Sequence, residues 1–388
     1  MSQRRCINLM GFVGVLIPLA GIADEGIEYS FSGSFQSLGT ISETPIEREN
    51  YWGDLNRLRL DLGARFNSFV AASAVIDNEF LIGSIIDTEE FQAVKDFDLD
   101  SNTRWDWDNL VVDNDNLVWR ASVYRAFLKF TTEDLNVIAG RQRIAWGTGR
   151  LWNPTDVFNP VSPLQIDQSQ RDGVDGLSAE YFVGNLSSVE LVYALGQESE
   201  LDSFGARFGT NVSGYDIGLL VGDIRESDLV GVDFGGNIGN AGFRGEATYR
   251  KPDEGSSYSQ IVLSFDYSWP NSVYFLLEYF YNGGNLGDTE IPDEIIEARG
   301  RRYNGEIVTK NSNFLATALG YDFTPLVRFD GLVIYDVDEG GLFFGPSVNW
   351  NIIPNLDWRL GAQLSSGDAE SEYGDDTDVY FTSIKVYF

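Results

Sequence analysis

The residues of this sequence that are best placed to do chemistry are charged side chains that recur at every second position. Arg57, Arg59 and Arg65 alternate with leucine and alanine, and Arg125 and Lys129 share one parity of a later segment. Because alternate residues of a β-strand point to opposite faces, each segment presents a charged face and an apolar face. Fixed charges on one face select and orient ions, so the predicted chemistry is electrostatic recognition.

Carboxylates dominate the same face in later segments, which predicts a basic wall opposite an acidic wall and a field between them. The alternative is that these charges pair across the interior and only make the fold more rigid. The candidate selectivity residues are Arg57, Arg59, Arg65, Arg125, Lys129, Arg141, Arg143, Glu180, Glu190, Glu246 and Glu278.

The absence of histidine removes most enzymatic options. Without histidine the sequence offers no Ser-His-Asp triad and no histidine-ligated metal, and its single cysteine is Cys6. Acidic clusters such as Asp98–Asp108 lack EF-hand spacing and are interpreted as solvated loop charge. A net charge of −32 argues against nucleic-acid binding. We therefore expect no enzymatic activity, no cofactor, no metal and no nucleic-acid partner.

The elements that must position these charges are about eighteen alternating segments, with sixteen as the alternative. The first begins near Glu28, and short and long connections alternate between segments up to Phe388. Charge on the lipid-facing side of a membrane strand costs roughly 2–4 kcal/mol at mid-bilayer, so the charged parity is assigned to the interior. The pattern predicts a closed antiparallel transmembrane β-barrel with short periplasmic turns and long extracellular loops.

The last ten residues, Val379–Phe388, alternate in hydrophobicity and end on an aromatic ring. This strand resembles the closing strand of Gram-negative outer-membrane β-barrels. The resemblance implies that it pairs with the first strand and that the barrel assembly machinery recognises Phe388. It also implies outer-membrane lipid and lipopolysaccharide as surroundings.

Residues 1–23 have the features of a secretory signal peptide. Arg4 and Arg5 precede a short apolar stretch, and Gly21-Ile22-Ala23 forms a small-x-small cleavage site. The alternative, a membrane anchor, is disfavoured because the stretch is shorter than the ~20 residues of a spanning helix. We expect residues 24–388 to form one barrel domain.

One glycine- and arginine-rich stretch stands out between the fifth and sixth segments. Its Gly140-Arg141-Gln142 strand end, its Gly147-x-x-Arg150-Leu151 turn and its Arg171-Asp172-Gly173-Val174 strand start resemble the alginate-export-type family of outer-membrane porins. The resemblance implies an eighteen-stranded monomeric barrel that passes an acidic polysaccharide through an arginine-lined lumen. By this resemblance Arg141, Arg143, Arg150 and Arg171 are candidates for the lumen or the constriction.

The same stretch combines many turn-forming residues with large apolar ones, which are unsuited to a freely solvated loop. We predict that it folds inward, packs on the barrel wall and narrows the pore. The alternative is an ordered loop that packs against other loops without touching solute. The candidate constriction residues are Trp146, Arg150, Trp152, Asp156, Phe158 and Arg171.

Together these features predict a passive outer-membrane channel for small polar, charged solutes such as sugar acids or organic acids. A second hypothesis is a non-conducting barrel that serves as a scaffold, surface receptor or assembly partner, because long loops such as Leu81–Asn116 offer binding surfaces or a plug.

Overall fold

A computed structural model shows a single large antiparallel sheet that closes on itself. The structure describes residues 26–44, 48–95, 103–160, 162–167, 173–253, 255–287, 306–374 and 377–388. The predicted signal peptide, residues 1–23, and the predicted site residue Arg171 lie outside the described residues. The domain prediction for residues 24–388 is not tested.

Nineteen β-strands and one short α-helix are present in the described part of the chain. The helix, α1, is Glu89–Val94, and the residues before it, Ser84–Asp87, form a 3-10 turn. The strands are β1 (Glu28–Glu43), β2 (Asn50–Arg65), β3 (Val70–Ile82), β4 (Asp108–Asn114), β5 (Leu117–Thr131), β6 (Leu135–Gln142), β7 (Val174–Val183), β8 (Ser187–Ala194), β9 (Ser203–Val212), β10 (Tyr215–Asp223), β11 (Ser227–Ile238), β12 (Ala241–Pro252), β13 (Tyr258–Ser268), β14 (Val273–Asn282), β15 (Asn313–Thr324), β16 (Val327–Asp336), β17 (Leu342–Ile353), β18 (Leu356–Ser366) and β19 (Val379–Tyr387).

Eighteen of these strands form the barrel wall, each antiparallel to the next. β1 closes the ring by pairing with β19 from Ser34 opposite Tyr387 to Ile41 opposite Tyr380. β3 pairs directly with β5, so β4 stands outside this order as an extra strand. The prediction of a closed barrel of about eighteen strands is confirmed, and the alternative of sixteen is wrong.

Burial alternates along the wall as the sequence pattern predicts. On β13, Leu263 and Phe265 expose 46% and 40% of their surface on the outside, whereas Val262 and Ser264 between them are almost fully buried inside. A sheet that closes on itself leaves no unpaired edge, which is the condition for strands to exist in lipid. The outer surface is therefore apolar, and the interior carries the polar residues together with buried apolar ones.

Connection length distinguishes the two ends of the barrel. At the end where β1 begins, called the turn end, adjacent strands are joined by two to four residues. At the opposite end, called the loop end, most connections are longer. Thr88 caps α1 there by accepting a hydrogen bond from the Phe91 N–H at 3.3 Å. None of the described helices is long and apolar enough to cross a membrane.

The wall changes its construction where β6 ends. β6 stops at Gln142, and it pairs with β5 only from Ala126 to Thr131. Above that level β4 pairs with the first residues of β5 instead. The chain is thereby released from the wall after Gln142 and enters the interior.

The position of Arg141 corrects the prediction that it lines the lumen. Arg141 has the same parity as the exposed Ala139, and it is only 3% exposed. Its guanidinium binds the Asp175 carboxylate at 2.9 Å and lies 4.6 Å from the ring of Trp107. The ion pair is therefore buried within the wall and faces no open pore.

Candidate constriction site

Residues 143–167, called the inner segment, run through the interior of the barrel; of these, residue 161 lies outside the described part. Their contacts reach inward-facing side chains of strands on opposite sides of the wall, from β8 through β12 and β14 to β18 and β2. An isolated loop in a wide, water-filled lumen would have only water as a partner for its backbone groups. The partners supplied by the wall determine its path.

The first anchor of the inner segment is Glu278, a fully buried carboxylate on β14. It accepts hydrogen bonds from three consecutive backbone N–H groups, those of Arg150 at 3.0 Å, Leu151 at 3.0 Å and Trp152 at 2.9 Å. Hydrogen bonds to a charged acceptor are stronger than those between neutral groups, and in a buried site they offset the desolvation of the carboxylate. Glu278 therefore holds one complete turn of the segment.

The second anchor is Glu246 on β12, which is 3% exposed. Its carboxylate accepts hydrogen bonds from the N–H groups of Thr148 and Gly149 at 2.5 Å each. It also accepts one from the Thr155 N–H at 3.0 Å and one from the Thr155 hydroxyl at 2.8 Å. This single side chain closes the segment into a compact turn, because it binds residues on both sides of Trp152.

Two glycines make this turn possible. Gly147 has φ +86°, in the left-handed region that favours glycine, and a Cβ there would collide with the side-chain oxygens of Asn153 and Thr155. A Cβ at Gly149 would collide with the carbonyl oxygen of Trp152. The Gly-Thr-Gly sequence therefore allows the backbone to approach Glu246 closely.

Three aromatic side chains attach the inner segment to apolar patches on the inner wall. Trp152 stacks on Phe280 of β14 with ring centroids 5.0 Å apart, and Trp146 meets Phe158 edge to face at the same distance. The Trp146 ring nitrogen donates to Glu190 at 2.7 Å. All three rings are at most 4% exposed, and burying a large apolar side chain contributes about 1.5–3 kcal/mol.

The last described residues of the segment cross to the far side of the barrel. Gln363 on β18 donates to the Leu164 carbonyl at 2.5 Å, and Arg359 donates to the Ile166 carbonyl at 2.7 Å. Asp167 then pairs with Arg57 of β2 at 3.2 Å. A cavity of about 380 Å³ lies between this part of the segment and the wall of β14–β19, with Arg328, Asp330 and Arg359 among its lining residues.

Several of the cations predicted to line the lumen are engaged in ion pairs. Arg57 binds Glu79 at 2.6 Å in addition to Asp167, and Arg59 binds Asp77 through two hydrogen bonds of 2.5 and 2.7 Å. Arg65 lies at the turn end, where it is largely exposed and pairs with Glu28. The alternative of paired interior charge thus describes Arg57 and Arg59.

Other predicted cations are placed differently. Arg125 and Lys129 of β5 are half-buried, and Arg143 at the start of the inner segment is exposed. Among the described residues, no carboxylate oxygen lies within 4 Å of the Lys129 ammonium, the distance at which the two would form an ion pair. The Arg150 side chain is 46% exposed, and its Nε lies 3.8 Å from Asp266.

The predicted acidic residues fall into two groups. Glu180 and Glu190 stand opposite each other on β7 and β8, both half-buried. Glu246 and Glu278, predicted as lumen charges, are instead buried supports of the inner segment. Asp156 is also buried, at 1% exposed. No group of three or more potential metal ligands was found among the described residues.

Sequence reasoning missed the supporting role of Glu246 and Glu278, and it gave no weight to Gln363. An inward carboxylate on a strand has the same parity signal whether it meets water or a loop. The one available indication was the Gly147-Thr148-Gly149 sequence, which exposes consecutive N–H groups and so calls for an acceptor.

No protein-family model and no curated protein sequence matches the chain. Solved structures do match its fold. OccD3 (OpdP) of Pseudomonas aeruginosa aligns with TM-score 0.58 and 9% identity over 93% of this chain and 91% of that one. OccAB1 of Acinetobacter baumannii aligns with TM-score 0.58 and 10% identity, covering 94% and 97% of the two chains.

The outer membrane protein OprD of Pseudomonas aeruginosa aligns with TM-score 0.58 and 10% identity over 93% of both chains. The resemblance to the alginate-export-type family is not confirmed by these comparisons and stays a prediction. Identities this low establish architecture alone. The chain thus shares the closed eighteen-stranded barrel fold of OprD and the Occ outer-membrane proteins.

Proposed function

We propose that this protein is a channel of the Gram-negative outer membrane for passive diffusion of small polar, charged solutes, with sugar acids or organic acids as the favoured class. The observation that carries the proposal is the inner segment, which is fixed to opposite walls of a closed barrel that is apolar outside. Such a segment narrows an eighteen-stranded lumen to molecular dimensions.

The preference for acidic solutes rests on cations that the fold leaves accessible. Lys129 faces the interior, and the Arg150 guanidinium is nearly half exposed on the inner segment. A solute carboxylate would meet these groups after entering from water. Arg125 and Arg143 belong to the same proposed set, whereas Arg57 and Arg59 contribute through their ion pairs to the rigidity of the wall.

A specific observation also favours the second candidate, a non-conducting scaffold or surface receptor. The inner segment packs as a protein core against β7–β17, with Trp146, Trp152 and Phe158 almost fully buried. Because this packing fills part of the lumen, conduction depends on the space that the inner segment leaves open, which includes the cavity beside β14–β19.

Single-channel recording separates the two candidates. The purified protein is reconstituted into planar bilayers at low protein concentration, and current is followed under voltage in a potassium salt of acetate or glucuronate. Discrete steps support the channel, and a reversal potential on the anion side in a salt gradient supports the solute class. Electrical silence of protein shown to be folded and inserted favours the scaffold.

A further inference from the structure

Two arginines of this protein are equally buried but have opposite surroundings. Arg141 and Arg250 are each 3% exposed. Arg141 donates to both carboxylate oxygens of Asp175, at 2.9 and 3.1 Å, and to the carbonyl oxygens of Trp105 at 2.5 Å and Val123 at 3.1 Å. This set of acceptors is what a buried guanidinium requires.

Arg250 has no such set. It lies on β12 near the loop end, on the same inward face as Glu246 and Thr248, and stands between Leu229 of β11 and Tyr258 of β13 in the sheet register. Its Nη1 is enclosed and makes no hydrogen bond to any residue that the structure describes. In the part of the chain that the structure describes, no carboxylate lies within 4 Å of its guanidinium.

The polar neighbour of Arg250 on β13 is already engaged. Tyr258, the register neighbour of Arg250, donates its hydroxyl to Glu306 at 2.7 Å. A guanidinium cannot lose its proton in a protein, so burial cannot neutralise Arg250. An unpaired buried charge is strongly unfavourable, and a buried polar group without a partner in a folded protein points to a water or ion that completes the site.

We propose that Arg250 binds a small inorganic anion, such as phosphate or chloride, in an enclosed site between β11 and β13 at the loop end. The planar guanidinium presents paired N–H groups that match an oxyanion, and neither Leu229 nor Tyr258 competes for it. This site is separate from the proposed solute path and does not depend on whether the barrel conducts. Its occupancy ties the loop ends of three neighbouring strands together.

Thermal unfolding in defined anions tests the site. The barrel is purified in a nonionic detergent with a bulky sulfonate as the only anion, and sodium phosphate or sodium chloride is titrated at constant ionic strength. Because an anion that binds only the folded state stabilises it, the melting temperature should rise and then saturate with at least one of the two anions. Arg250→Met should abolish this rise without lowering the melting temperature in the sulfonate buffer, because methionine fills the space without an unpaired charge.

Two further variants make the outcome decisive. Arg250→Lys keeps the positive charge but lacks the paired N–H groups of the guanidinium. Its melting temperature should still rise with the anion, but by less and at higher anion concentrations. Arg141→Met removes a paired arginine of equal burial and should lower the melting temperature while leaving the anion response intact. The proposal is overturned if neither anion stabilises the unmodified protein, if Arg250→Met still responds, or if that variant is already destabilised in sulfonate.

Discussion

Hydrogen bonds from the inner segment, rather than charge alone, separate the interior carboxylates into two kinds. Glu278 receives three backbone N–H groups and has no exposed surface. Glu180 is half-buried on the inward face of β7 and stands opposite Glu190 in the register. Glu278 and Glu180 are both glutamates that face the interior of the barrel. Comparing the same substitution at the two positions therefore isolates the effect of the contacts with the inner segment.

Glu278→Gln should destabilise the barrel by about 1–3 kcal/mol, because an amide offers one oxygen in place of two charged acceptors and leaves buried N–H groups unpaired. The melting temperature in detergent, followed by β-sheet circular dichroism, checks this. Glu180→Gln is the control and should stay within about 0.5 kcal/mol or stabilise, since it relieves like charges that face each other. Equal effects of both substitutions would show that Glu278 does not hold the segment.

Charge reversal at an exposed cation should change the ion selectivity of the channel rather than the stability of the barrel. Under the proposed function, Arg143→Glu should shift the reversal potential in a salt gradient toward cations, because a fixed charge near the narrowest part of a pore changes local ion concentrations. Lys251→Glu makes the same charge change on an exposed residue at the end of β12, paired with Asp228. That control should leave selectivity unchanged, and an unshifted Arg143→Glu channel would remove Arg143 from the selectivity-determining set.

At the scale of elements, the inner segment behaves as a short piece of protein core bound to the wall. Its turn depends on Gly147, which combines a left-handed backbone with a Cβ direction blocked by neighbouring oxygens. Gly184, in the turn between β7 and β8, also has a positive φ of +68°, but no atom of the described residues lies within 4 Å of the position that a Cβ would take there. Comparing the two glycines separates backbone strain from crowding.

Alanine at either glycine carries the strain of a left-handed backbone, about 1–3 kcal/mol. Only Gly147→Ala must also displace Asn153 and Thr155, which breaks contacts at Glu246. We expect Gly147→Ala to give the larger loss of thermal stability and, in a conducting barrel, larger and noisier current steps. Gly184→Ala should keep the unmodified current pattern. Identical currents in both variants would mean that the Glu246 turn does not set pore width.

The strands were predictable because their signal is periodic and local. Alternation predicted about eighteen strands and the inward face of most of them. Pro346, which lacks an N–H, lies where the β17–β18 pairing is interrupted. The path of residues 143–167 was not predictable in detail, because it is determined by partners such as Glu278 and Gln363 far away in sequence. Arg141 was misassigned although it shares the parity of Val137 and Ala139, and the sequence could not show that Trp105 and Trp107 cover it.

At the scale of the whole molecule, Phe388 extends the pairing of β1 with β19 that closes the ring. The Gly33 N–H donates to the Phe388 carbonyl at 2.9 Å, and the Phe388 N–H donates to the Gly33 carbonyl at 3.0 Å. The terminal ring lies 6.3 Å from that of Phe31 on the outside of the barrel. Because Phe388→Ala keeps both backbone hydrogen bonds, it tests the ring alone.

Phe69 provides a matched control for the terminal ring, since it lies in a connection at the turn end and is 53% exposed, compared with 56% for Phe388. In pure lipid vesicles, Phe388→Ala and Phe69→Ala should fold to similar extents, because each loses a comparable exposed apolar area. In Gram-negative cells, if the assembly machinery recognises the terminal aromatic, Phe388→Ala alone should reduce the amount of protein in the outer membrane several-fold. Heat-dependent gel mobility of membrane fractions measures the folded amount. Equal losses for both variants in cells would assign the ring to packing and remove the proposed recognition.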